Sequence, residues 1–129
     1  MGIGVDDPIS NMSNDVRLEL NNARMMSKAS GKALSLQQLL SMAWNSRIYG
    51  YAVGHVSAGS FADIITVDLR NRIVPQKPEC LLRETIFANS PITNTMVAGK
   101  FLLHNGTVMC VDEARVLKRA QKAANKLLK

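Results

Sequence analysis

The chain has 129 residues, 47% of them hydrophobic and 20% charged, with 16 Lys and Arg against 10 Asp and Glu for a net charge of +6. That length holds one modest domain with one core, and the composition is that of an ordinary globular chain. No apolar run nears the roughly 20 residues that span a bilayer, and no basic stretch followed by an apolar one marks a leader, so a cytoplasmic protein without membrane contact is expected.

The chain opens on a short apolar run, Ile3 to Val5, with the character of a strand end. Asp6, Asp7 and Pro8 stop it and begin a loop. Ser13-Asn14-Asp15 supplies oxygen side chains suited to cap a helix, and Val16, Leu18, Leu20, Ala23, Met25 and Met26 carry that helix to about Lys28. Gly31 ends it by accepting the left-handed conformation. Ser35 opens a second helix, in which Leu36, Leu39, Leu40, Ala43 and Trp44 recur at helical spacing and form a core stripe. It is expected to fade near Tyr49-Gly50.

Beyond Gly54 the texture changes. Ile64-Ile65-Thr66-Val67 is β-branched throughout and reads as a strand. Asn71 to Pro78 reads as an exposed connection, Leu81 to Ala88 as a second strand and Thr93 to Ala98 as a third. Gly99-Lys100 is expected to turn the chain into Phe101-Leu102-Leu103. Asn105-Gly106 is the strongest turn dipeptide in the sequence, and Thr107 to Cys110 follows as a short strand. Val111-Asp112-Glu113 starts a last helix, its acids placed at the positive end of the dipole and its lysines toward the negative end. The order of elements is α+β.

The two cysteines, Cys80 and Cys110, lie 30 positions apart, too few and too far for a disulfide framework or a metal-ligand pair, and read as buried thiols. The last helix gathers Arg115, Lys118, Arg119, Lys122, Lys126 and Lys129. Such a stripe is the solvated face of an amphipathic helix, or a contact for nucleic acid, although it holds no aromatic residue to stack on bases. The sequence contains two histidines, His55 and His104, each without a second ligand at metal-binding spacing. It has no G-x-S-x-G elbow, phosphate-binding loop or G-x-G-x-x-G. By themselves, Asp6 and Asp7 suit an acid/base pair or a loop device.

The stretch GIGVDDPISN resembles the G-x-G-[TS]-D-[GS]-x-x-S-N pattern that ends the eighth barrel strand in the amidohydrolase superfamily, in the branch of the cytosine, guanine and methylthioadenosine/S-adenosylhomocysteine deaminases and the chlorohydrolases. Gly2, Gly4, Asp6, Ser10 and Asn11 match; Val5 and Asp7 depart from it. SMAWNSRIYGY resembles that branch's M-A-T-x-x-[GS]-A-x-x-L-G helix. Gly54 to Asp68 resembles G-x-[IVL]-x-x-G-x-x-A-D-[IL]-[IV]-[IV]-x-D, the return from barrel to β-sandwich. Thr95 to Lys100, with Gly106, resembles the V-x-V-x-G-[KR] hairpin, and VDEARVLKRAQKAANKLLK the C-terminal helix.

The resemblance implies an α+β chain made of the last strand and helices of a (β/α)8 barrel (residues 1–52), part of a small β-sandwich (53–110) and a C-terminal helix (111–129). A whole barrel takes about 250 residues, so it also implies the C-terminal part of a metal-dependent deaminase, inactive alone. Asp6 takes the position of the acid that contacts the metal, Zn2+ or Fe2+ in the full-length enzyme, and shuttles a proton. Asp7 is left to loop structure or to support of the site. The family's H-x-H and later histidines have no counterpart, so the chain alone is expected to hold no metal. A small-molecule substrate of nucleobase or nucleoside type follows, along with homo-oligomer formation or association with the missing barrel part. The competing readings are a stand-alone α+β interaction module without catalysis, and nucleic-acid binding through the last helix.

Overall fold

A computed structural model describes residues 2–7, 11, 13–44 and 54–127. The chain divides into two units, Met1–Ser60 with Val67–Pro91, and Phe61–Thr66 with Ile92–Lys129.

The first unit is helical. Helix α1, Val16–Ala29, starts at Asp15, whose carboxylate accepts the Arg17 N–H, and ends at Ser30. Gly31 follows with φ +76°, so this start and stop are those the sequence predicts. Helix α2, Leu36–Ala43, is closed at its start by a reciprocal pair: Ser35 Oγ accepts from the Gln38 N–H, and Gln38 Oε1 accepts from the Ser35 N–H. Trp44 caps its end, earlier than the spacing suggests; residues 45–53, where the sequence has it fading, lie outside the described residues.

Helix α3, Pro78–Phe87, corrects the strand expected at 81–88. Pro78 sits in the first turn, where its missing N–H costs nothing and its fixed φ favours the helix. Glu79 is in that turn and reaches Arg83 at 3.6 Å. Leu81, Leu82, Thr85 and Ile86 follow a 3.6-residue repeat that a run of β-branched and apolar residues had disguised.

The core lies among these three helices: Leu20 of α1, Leu39 and Leu40 of α2 and Ile86 of α3, with Ile3, Ala23, Leu34, Leu36, Ala43 and Phe87 packed around them. Trp44, expected in the stripe, is 49% exposed. Arg17 ties the helices by hydrogen bonds. Its guanidinium forks onto Asp15 and donates to the Ser90 carbonyl at 2.6 Å, which fixes the α1 start against the chain that leaves α3.

The second unit is a four-stranded sheet in the order β1-β2-β3-β4, with β1 Ile64–Val67, β2 Ile92–Val97, β3 Lys100–His104 and β4 Thr107–Val108. Strands β2 and β3 pair antiparallel with Val97 opposite Lys100, and β3 pairs β4 with His104 opposite Thr107. The first hairpin turns on Ala98-Gly99, one residue before the expected pair, and the second on Asn105-Gly106; all four have positive φ, the hand that matches strand twist. Helix α4, Glu113–Leu127, closes the chain. Asp112 Oδ1 accepts the Arg115 N–H at 2.9 Å and caps it.

Neither cysteine is the buried thiol expected: Cys80 is half-buried and Cys110 exposed, and both are free. No helix among the described residues is long and apolar enough to cross a membrane.

Candidate active site

Residues 2–7 form no strand or helix, and the segment lies within the helical unit. What holds it is a small set of hydrogen bonds on either side of Asp6. Upstream, the Ile3 N–H donates to the Met42 carbonyl at 2.9 Å, near the end of α2. Ile3 also packs on the core. Downstream, the Asn11 N–H donates to the Asp7 carbonyl at 3.1 Å, and Asn11 Nδ2 donates to Glu19 Oε1 at 2.8 Å, in the first turn of α1. The two ends of the segment are therefore anchored to two different helices. Asp6, between them, is exposed.

The Asp6 carboxylate accepts the Asp7 N–H at Oδ1, 2.9 Å away. A carboxylate has about four acceptor positions, so this bond orients the group and leaves it able to serve other partners. Asp7 is also exposed. Ser10, the other hydroxyl position of the motif, lies outside the described residues.

The histidines are elsewhere. His55 is exposed. His104, in the sheet unit, has Nδ1 3.0 Å from Asn94 Oδ1 and its ring 4.4 Å from that of Phe101. Asn94 Oδ1 accepts, so His104 donates from Nδ1, and the same oxygen takes the Asn105 N–H at 2.9 Å. This is the wiring of a turn. Among the described residues, no group of three or more His, Cys, Asp and Glu converges as a metal site.

Two ion pairs shape the local charge. The side-chain hydrogen bonds from Arg17 hold the Asp15 carboxyl below its ordinary value of 3.8. Those from Arg70 hold Asp68 at about 2. Both are Asp-x-Arg pairs in which the aspartate also takes the backbone N–H of the arginine. Sequence reading passed over these pairs, and over Glu19, whose role depends on Asn11 eight positions earlier.

The motifs acquire physical reasons here. Asp63, of the A-D pair, accepts the Ala98 N–H at 2.7 Å, and the Ala62 carbonyl accepts the Gly99 N–H at 3.1 Å. The A-D element thus holds the very turn that the V-x-G-K element makes.

Along almost its whole length the chain is similar to known deaminases. No family model matches it. It is 32% identical to a 5'-deoxyadenosine deaminase of Methanosarcina mazei over 99% of this chain and 31% of that protein. It is 28% identical to a 5-methylthioadenosine/S-adenosylhomocysteine deaminase of Bacillus cereus over 95% of this chain and 30% of that protein. Its fold matches the crystal structure of an adenosine deaminase from Xanthomonas campestris with bound zinc, with a TM-score of 0.82, 26% identity, and coverage of 97% of this chain and 30% of that one. The chain spans about a third of the length of these relatives.

Proposed function

We propose that this chain is the C-terminal part of a metal-dependent deaminase of adenosine-type nucleosides, and that Asp6 is the acid it contributes to the active centre. In this reading residues 1–52 complete a barrel, 53–110 form part of a β-sandwich and 111–129 are the terminal helix. The observation that supports it most is Asp6 itself: an exposed carboxylate, oriented by one backbone N–H, on a segment anchored to two helices, in a chain whose similarity to a deaminase runs along almost its whole length.

A carboxylate oxygen suits one ligand position of a Zn2+ or Fe2+ centre, and such a centre takes four or more ligands. Among the described residues no group of three or more His, Cys, Asp and Glu converges beside it, and in this reading the remaining ligands come from the other two thirds of the enzyme. The metal, when bound, supplies a water acidified to a pKa of about 7. Asp6 takes up a proton on its carboxylate and delivers it to the departing amine. The Asp7 N–H holds Oδ1 in place during that transfer, and Asn11 with Glu19 keeps the following loop from swinging the acid away. Asp7 has no step of its own. In this reading the full-length enzyme, not the chain alone, acts on a small-molecule substrate in the cytoplasm.

The test is a chimera in which this chain replaces the matching third of the Methanosarcina mazei deaminase. Ammonia release from 5'-deoxyadenosine is expected from the chimera, and none from the isolated chain. A folded chimera without turnover, or an isolated chain with it, contradicts the reading.

A further inference from the structure

The segment that carries Asp6 is held at its two ends by different kinds of bond. Upstream, main chain meets main chain: the Ile3 N–H donates to the Met42 carbonyl, a bond that does not depend on the Met42 side chain. Downstream, the tie to α1 runs through side chains. Asn11 Nδ2 donates to Glu19 Oε1 at 2.8 Å. The backbone N–H of Asn11 donates to the Asp7 carbonyl at 3.1 Å, and the Asp7 N–H donates to Asp6 Oδ1 at 2.9 Å. Hydrogen bonds in series thus lead from Glu19 to the carboxylate of Asp6, all of them within this chain. Pro8 follows Asp7, and a proline narrows the conformations open to the residue before it. Holding the Asp7 carbonyl therefore leaves the Asp7 N–H little freedom.

Helix α1 does not need Glu19 for its own start. Its cap is Asp15, whose carboxylate takes the Arg17 N–H. A capping box would place Glu or Gln three residues after the cap; that place holds Leu18, and Glu19 comes one later. The nearby guanidinium of Arg17 is engaged with Asp15 and with the Ser90 carbonyl. A carboxylate in the first turn suits the helix dipole, but the dipole asks nothing of Asn11. Glu19 is half-buried, and an ionised acceptor makes a stronger hydrogen bond than a neutral one, so it holds the Asn11 amide more firmly than an uncharged side chain would.

We propose that Glu19 is a positioning residue for Asp6: acting through Asn11, it keeps the Asp6 carboxylate in one orientation, and so governs the rate of proton transfer and not the binding of substrate. This role rests on the reading of Asp6 as the acid of the site.

The first test needs neither metal nor substrate. Nitrogen-15 relaxation of the full chain reads the Asp6 and Asp7 amides directly. Order parameters near 0.85 are expected in the parent, falling below about 0.6 in Glu19→Ala and in Asn11→Ala, with the Leu20 and Leu39 amides unchanged. Glu19→Gln, which keeps an acceptor, should retain most of the order, and Glu19→Ala with Asn11→Ala should lose no more than either alone. The second test is the Methanosarcina mazei chimera. There Glu19→Ala should lower kcat about 10- to 100-fold, the scale of a misplaced reacting group, with KM nearly unchanged, and Glu19→Gln should recover most of the rate. Order at Asp6 and Asp7 that survives Glu19→Ala would overturn the role. So would an unchanged kcat in a chimera that Asp6→Asn inactivates, or a loss that spreads to Leu20 and Leu39 and that Glu19→Gln does not recover. A parent chimera without turnover would instead contradict the reading of Asp6, and the order parameters alone would then decide whether Glu19 holds the carboxylate.

Discussion

The helical unit and the sheet unit are held together in different ways. Among the described residues the four buried apolar ones, Leu20, Leu39, Leu40 and Ile86, all belong to the helices. In the sheet unit no described residue is buried. Its order comes from two turns with positive φ and from side chains that tie strand to strand: Asp63 to Ala98, Thr66 to Thr93 and Asn94 to His104 and Asn105. Burial of apolar surface contributes about 25 cal/mol per Å², whereas a net hydrogen bond contributes only about 1 kcal/mol. The helices are therefore stable by packing. The sheet has its geometry specified locally and leaves apolar surface for another element to cover, as at Phe101, Leu102 and Met109.

Substitutions can break this contrast. Leu39→Ala removes a side chain that is 1% exposed and should cost about 2–5 kcal/mol. Chemical denaturation followed by helix ellipticity should show the loss, while amide protection in the β2–β3 hairpin persists. Simultaneous loss of both would mean the sheet depends on the helical core. Arg17→Ala comes next. It strips the Ser90 carbonyl and the Asp15 carboxylate of a charged partner, and about 2–3 kcal/mol should be lost, again from the helices alone. Asp63→Ala should act in the opposite place. It leaves the Ala98 N–H without its acceptor in a turn where Ala98 already has φ +48°. About 1 kcal/mol is expected, read as faster exchange of the Ala98 amide with no change in helix melting.

The smallest effect is that of acid. Asp15 has a folded-state value below its ordinary 3.8. Its contribution is therefore complete above about pH 4 and is lost as pH falls through the lower folded value. Asp15→Asn should flatten the stability profile below pH 4 and leave its shape near neutrality unchanged.

Much of this was legible in the sequence wherever a residue acts on its near neighbours. Asp15, Gly31, Ser35, Asn105-Gly106 and Asp112 each mark a start, stop or turn through a bond to a residue only a few positions away, and each does so in the structure. The run at 81–88 was misread because Ile86, Phe87 and Thr85 carry strand preferences. The first-turn proline and the burial of Ile86 in the core shared with Leu20, Leu39 and Leu40 decide for helix, and only the first of these is visible locally. The buried placement expected for Trp44 and Cys110 failed for a similar reason: burial depends on what the chain meets, which spacing does not encode. Asp6 could be singled out through the motif around it. The Ile3–Met42 and Asn11–Glu19 bonds that anchor its segment join residues too distant in sequence for a pattern to reveal.

The most direct measurement is turnover of the Methanosarcina mazei chimera carrying Asp6→Asn beside the same chimera carrying Asp7→Asn, with zinc content measured on both. A positioned proton carrier is worth about 10²–10⁴ in rate. Asp6→Asn should lose turnover on that scale, and Asp7→Asn should stay within a few-fold of the parent. If Asp7→Asn abolishes turnover and Asp6→Asn leaves it intact, Asp6 is not the acid of the site.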